Sequence, residues 1–92
     1  MESENKELLQ LLAKEGTIAI LNTLKLGNAR FSDLEGQVKH STLAKRLKEL
    51  EEKGLIKRKV VNLRPPRTEY SITDLGKRSL SMIRQLRETH GE

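Results

Sequence analysis

The chain has 92 residues, of which 34% are charged, with a formal net charge of +5, one Phe, one Tyr, no Trp and no Cys. That length holds one small domain with a single core, which must here be aliphatic. The composition excludes disulfides, thiolate metal sites and a cysteine switch, and its two aromatic rings are too few for the base-stacking platforms that read single strands.

Ser3 or Asn5 is placed to cap a first helix running to about Lys14, with Leu8, Leu9, Leu11 and Leu12 as a broad apolar face. Gly16 ends it, and Thr17 is the candidate cap of a second helix carrying Ile18, Ile20, Leu21 and Leu24 and ending near Leu26-Gly27. Residues 28–31 read as a turn into a one-rung strand, with Phe31 pointing inward. Ser32-Asp33-Leu34-Glu35 has the S-x-x-E form of a capping box and predicts a short helix of about seven residues reaching Val38. Lys39-His40 then turn into a helix capped by Ser41.

In that helix Leu43, Leu47 and Leu50 recur at i, i+4 and i+7, within roughly 60° of one another on a wheel of about 100° per residue. Lys45, Lys48 and Glu52 point away, and Glu49 and Lys53 form an i,i+4 pair in the favoured order. Gly54 follows where a left-handed C-cap residue belongs. Residues 55–61 and 68–72 read as strands, the second alternating with Tyr70 and Ile72 on one face. Between them, Pro65-Pro66 cannot donate to a ladder and marks a stiff, extended hairpin tip. Thr73 caps a last helix with Asp74 in its first turn, and Leu75, Leu80, Ile83 and Leu86 continue it to about Thr89.

The charge is unevenly placed. From Lys39 to Arg67 there are ten Lys or Arg against three Glu, a net of +7; residues 1–38 carry four against six and residues 68–92 four against four. One basic helix–hairpin thus sits on a balanced body, the footprint of a surface that docks on phosphates. Ser41, Thr42, Lys45 and, at the flank, Arg46 begin the exposed side of the helix, with Lys48 and Glu49 beyond. Short polar and long basic side chains in that position suit a major groove. A merely solvated helix face is the competing reading. Residues 55–67, with five basic side chains and no acid, favour the first: a helix followed by a hairpin with a basic tip is a winged-helix arrangement.

No phosphate-binding glycine loop, nucleophile elbow or isolated carboxylate pair occurs, so no enzyme and no cofactor is expected. His40 and His90 lack ligand-spaced partners, so no metal is expected either; His40 stands where it can touch a phosphate. No apolar run approaches the roughly 20 residues of a membrane span, and no signal-peptide pattern opens the chain, which points to the cytoplasm.

Three stretches resemble the HxlR-type winged-helix transcription regulators. Arg30-Phe31-Ser32-Asp33-Leu34 resembles their R-F-x-[DE]-L opening, residues 43–57 their recognition helix and following strand, and residues 65–76 their P-P-R-x-E-Y-S-L-T-x-x-G signature. The G-I-S turn usual before the recognition helix, the tryptophan near the domain start and the cysteine sensor of some members are absent.

The expected fold is therefore α+β: a winged helix-turn-helix with a two-stranded wing and additional N- and C-terminal helices, one domain over residues 1–92. The resemblance implies a sequence-specific regulator of transcription that binds double-stranded DNA as a homodimer; no small-molecule effector is evident in the sequence. Ser41, Thr42, Lys45, Arg46 and Lys48 are the expected contacts from the recognition helix, and Arg58, Arg64 and Arg67 those from the wing. The terminal helices, over residues 3–15 and 74–89, carry more leucine than one small domain needs: Leu8, Leu12, Leu80, Ile83 and Leu86 are the expected dimer interface, with a place in the monomer core as the competing reading. The alternative is a winged helix used as a protein-interaction module in a larger assembly.

Overall fold

The computed structural model describes the backbone of residues 2–62 and 64–90 and the side chains of residues 6–62 and 64–88. Its elements are α1 (Glu2–Ala13), α2 (Thr17–Leu26), α3 (Phe31–Leu34), α4 (His40–Glu52), β1 (Ile56–Val61), β2 (Arg67–Ile72) and α5 (Asp74–His90). The expectation of a Ser3 or Asn5 cap concerns side chains outside the described residues.

The turn between α1 and α2 is closed differently from the sequence pattern. Gly16 takes the N-cap position of α2, and Thr17 lies inside the helix, fully buried, donating from its hydroxyl to the Leu11 carbonyl at 2.8 Å. A hydroxyl sealed in a core needs an acceptor, and the Leu11 carbonyl at the end of α1, which also accepts the Lys14 N–H at 3.1 Å, supplies one. The helix α3 has four residues rather than seven. It begins at Phe31 because Asp33 Oδ2 accepts the Arg30 backbone N–H at 2.9 Å, so the local cap is built two residues before the S-x-x-E frame. Likewise α4 starts at His40 with Lys39 at the N-cap, without a side-chain cap, and the first turn closes from Leu43 N–H to the Lys39 carbonyl at 2.8 Å.

The other end of α4 follows the pattern. Gly54 sits at φ 77°, its N–H bonds the Glu51 carbonyl, and the Leu55 N–H bonds the Leu50 carbonyl at 2.9 Å. This is a Schellman closure, with its apolar contact supplied by Leu50 and Leu55, both fully buried. It delivers the chain directly into β1.

β1 and β2 pair antiparallel from Ile56↔Ile72 to Val61↔Arg67. A third strand of a single rung is added by Ala29, whose N–H and carbonyl both bond Tyr70, as the one-rung strand predicts. Tyr70 is buried, and Phe31 packs against the core. At the tip the Arg64–Pro65 peptide bond is cis. After β2, Thr73 Oγ1 accepts the Gly76 N–H at 3.1 Å, capping α5, and donates to the Gly54 carbonyl at 2.6 Å. Gly76 is required there: a Cβ would lie 2.4 Å from the Leu55 carbonyl oxygen and 2.6 Å from Ile72 Cγ1.

The core is aliphatic apart from Tyr70, gathering Leu11, Leu12, Ile20, Leu21, Leu24, Leu34, Leu43, Leu47, Leu50, Leu55, Ile56 and Leu80. Leu12 and Leu80 are therefore core residues of the monomer, 2% and 5% exposed, and cannot present themselves to a second copy. Leu8 and Ile83 are partly buried against this core, whereas Leu9, Met82 and Leu86 are exposed. No helix among the described residues is long and apolar enough to cross a membrane.

Candidate nucleic-acid interface

Leu43, Leu47 and Leu50 turn one side of α4 into the core, and Ser41, Lys45 and Lys48 are exposed on the other, with Thr42 half-buried. Arg46 departs from the expected set. It is 8% exposed, its Nε donates to the Glu15 carbonyl at 2.9 Å, and its Nη1 donates to Glu49 Oε1. All of its reach is spent inside the protein. A guanidinium at the edge of a core is retained only when paired, and here the α1–α2 turn supplies the partner.

Glu49 is not a groove-facing residue either. Its second oxygen accepts from Lys14 Nζ at 2.8 Å. The hydrogen bond from Lys14, helped by that from Arg46 and opposed by partial burial, holds its carboxyl below the ordinary value of 4.5. The i,i+4 pair with Lys53 is replaced by two other ties: Glu49 pairs with Lys14, in the turn after α1, and Lys53 Nζ pairs with Glu7 Oε2 of α1 at 3.3 Å.

On the hairpin, Ile56, Arg58 and Val60 alternate on the face that β2 shares through Tyr70 and Ile72, while Lys57 and Lys59 point to the other face. Arg58, Lys57 and Lys59 are all exposed, as is Arg64 at the tip. Arg67 is exposed too, but its Nε lies 3.6 Å from Glu69 Oε2, two residues along the same face of β2. His40, at the first position of α4, is exposed; its ring meets Phe31 edge-on at 5.0 Å, and Nδ1 is 3.3 Å from Glu35 Oε2. No cluster of His, Cys, Asp or Glu suited to a metal occurs among the described residues.

Of the ten basic residues from Lys39 to Arg67, Arg46, Lys53 and Arg67 are paired with carboxylates, and Lys39, Lys45, Lys48, Lys57, Arg58, Lys59 and Arg64 form no ion pair among the described residues. Those seven lie on the exposed side and entrance of α4 and on the hairpin. Lys39, at the N-cap of α4, is a further cation beyond the expected contacts; with Ser41 as the expected cap, the sequence pattern leaves it in the preceding turn. The bond from Arg46 to the Glu15 carbonyl spans 31 residues and leaves no local trace in the sequence.

A short helix, a turn, a thirteen-residue helix and a two-stranded hairpin define a winged helix-turn-helix. The family profile described as HxlR-like helix-turn-helix matches residues 11–91, and the chain belongs to that family. It is 39% identical over 75 residues to the uncharacterized HTH-type transcriptional regulator YvaP of Bacillus subtilis (strain 168), covering 78% of this chain and 69% of YvaP. An uncharacterized HTH-type transcriptional regulator of Methanothermobacter thermautotrophicus is 40% identical over 72 residues, covering 75% of this chain and 55% of that protein. Among solved structures, the reduced form of the transcriptional regulator YodB from Bacillus subtilis superposes with a TM-score of 0.81 at 26% identity, covering 90% of this chain and 84% of YodB.

Proposed function

We propose that the protein is a cytoplasmic regulator of transcription that binds specific double-stranded DNA as a homodimer. The seven cations of α4, its N-cap and the hairpin that form no ion pair among the described residues carry this reading. They leave a positive surface with no internal use, on the two elements that a winged helix offers to a duplex. The regulator names of the relatives at 39% and 40% identity support it.

In this reading Ser41, Thr42, Lys45 and Lys48 face the major groove, and Arg64 reaches the flanking groove or its phosphates. Arg58, Lys57, Lys59 and Lys39 add sequence-independent affinity. Arg67 contributes once a phosphate competes with Glu69 for its guanidinium. The homodimer is supported by Leu9, Met82 and Leu86, apolar and exposed on the two terminal helices.

Selection of bound duplexes from a random pool tests the proposal. It predicts that one sequence is enriched and that Lys45→Ala lowers affinity for it by about 1–3 kcal/mol while relaxing preference at one or two positions, through loss of a base contact. A pool without enrichment, or binding indifferent to Lys45, contradicts it and leaves the hairpin as a protein-docking surface.

A further inference from the structure

Arg46 is a basic residue on the recognition helix that points away from any duplex α4 could meet. Its bonds form part of a chain of contacts that begins and ends on the first helix and its turn. Lys14 Nζ donates to Glu49 Oε2, Glu49 Oε1 accepts from Arg46 Nη1, and Arg46 Nε donates to the Glu15 carbonyl. A second tie, from Lys53 at the C-cap of α4 to Glu7 on α1, lies four residues beyond Glu49. Between the ties lies a groove of about 240 Å³, lined by Gln10, Leu11 and Glu52 as well as the paired residues. This side of α4 is thus held to α1 by charged hydrogen bonds around open space. Apolar contact tolerates rotation of a helix about its axis; charge-assisted bonds to a guanidinium fork fix direction. Lys45 and Lys48 are on the same rigid cylinder, so whatever sets the angle of Arg46 sets theirs.

We propose that Arg46 and Glu49 are positioning residues for DNA recognition: with Lys14 and the Glu15 carbonyl they lock the angular setting of α4 to the end of α1, so that affinity for a specific duplex depends on a helix that does not touch it. The inference rests on the reading of α4 as the recognition helix. It also makes α1, a candidate dimer helix, the element through which assembly reaches the DNA-binding face.

Lys14 is the cleanest probe, because its side chain is 44% exposed and contributes to neither core nor proposed DNA face. Lys14→Met, Lys14→Arg and Glu49→Gln are compared with wild type in the full chain. The targets are the duplex recovered by selection and an unselected duplex, each measured across a salt series, with circular dichroism at the same temperature confirming the fold. Lys14→Met should lower affinity for the selected duplex about five- to tenfold, in the range of ordinary coupling between sites. Affinity for the unselected duplex and the salt slope should stay unchanged. Lys14→Arg should restore binding, and adding Lys14→Met to Glu49→Gln should cost nothing more than Glu49→Gln alone.

An equal loss on both duplexes with a flattened slope overturns the proposal, because Lys14 is then a phosphate contact. A selected-to-unselected ratio unchanged in both folded single variants overturns it too, leaving a tie that serves stability alone. A wild-type protein that binds neither duplex removes the DNA-binding reading itself, before any variant is compared, and the positioning role falls with it.

Discussion

Arg46 lies about 40° from Leu50 and about 60° from Leu43 on the helical wheel, at the border of the apolar face. The sequence therefore places it at a flank and leaves open whether it turns outward; the structure turns it inward because the Glu15 carbonyl and Glu49 wait there. Glu49 makes this arrangement sensitive to acid. Its folded pKa is below its unfolded one, so its stabilising contribution is complete above the unfolded value and is lost as pH falls through the folded value. Urea unfolding of wild type should lose stability on acidification below about pH 4.5 more steeply than Glu49→Gln, which has no proton to take up; parallel pH profiles contradict the pairing. Gly76 makes a second residue-scale prediction. Its missing Cβ leaves room for the Leu55 carbonyl, so Gly76→Ala should destabilise by about 2–3 kcal/mol in the same measurement, as overpacking does. An unchanged midpoint would mean that α5 does not pass so close to the end of α4.

The elements were legible in proportion to how local their causes are. The Schellman end of α4, the hairpin and the Thr73 cap each arise within a few residues, and each is found where the pattern puts it. The starts of α2, α3 and α4 differ, because Thr17, Ser32 and Ser41 are all acceptable caps in isolation. The first is drawn into the core by the Leu11 carbonyl, and Asp33 outcompetes the second by accepting the Arg30 N–H. No comparable bond accounts for the displacement at Ser41. At this scale the proposed division of labour between helix and wing becomes testable. Lys45→Ala should discriminate between selected and random duplexes, whereas Arg64→Ala should weaken both evenly and flatten the salt slope by about one unit. If the wing variant changes preference and the helix variant only general affinity, the two roles are reversed.

For the whole molecule, the surplus of leucine in the terminal helices pointed to a twofold interface, but spacing could not separate leucines that fill the monomer from those left over. Leu12 and Leu80 fill it; Leu9, Met82 and Leu86 remain exposed. Leu12→Asp should therefore unfold the chain, at a cost of several kcal/mol for a charge buried without a partner. The pair Leu9→Lys and Leu86→Lys should leave it folded and, in sedimentation, convert a dimer to a monomer. A wild-type chain that is already monomeric at high micromolar concentration contradicts the dimer.

The charge map was legible as a sum and not as a surface. The segment's net of +7 stands, yet three of its ten cations are engaged by carboxylates, including one expected to read bases. The other seven form no ion pair among the described residues and are the cations proposed to meet a duplex. The dependence of duplex affinity on salt tests this most directly. If each protomer of a dimer neutralises about three to five phosphates, the logarithm of the binding constant should fall against the logarithm of salt concentration with a slope of about −5 to −9. A slope shallower than about −2 would mean that the basic helix–hairpin does not lie on DNA.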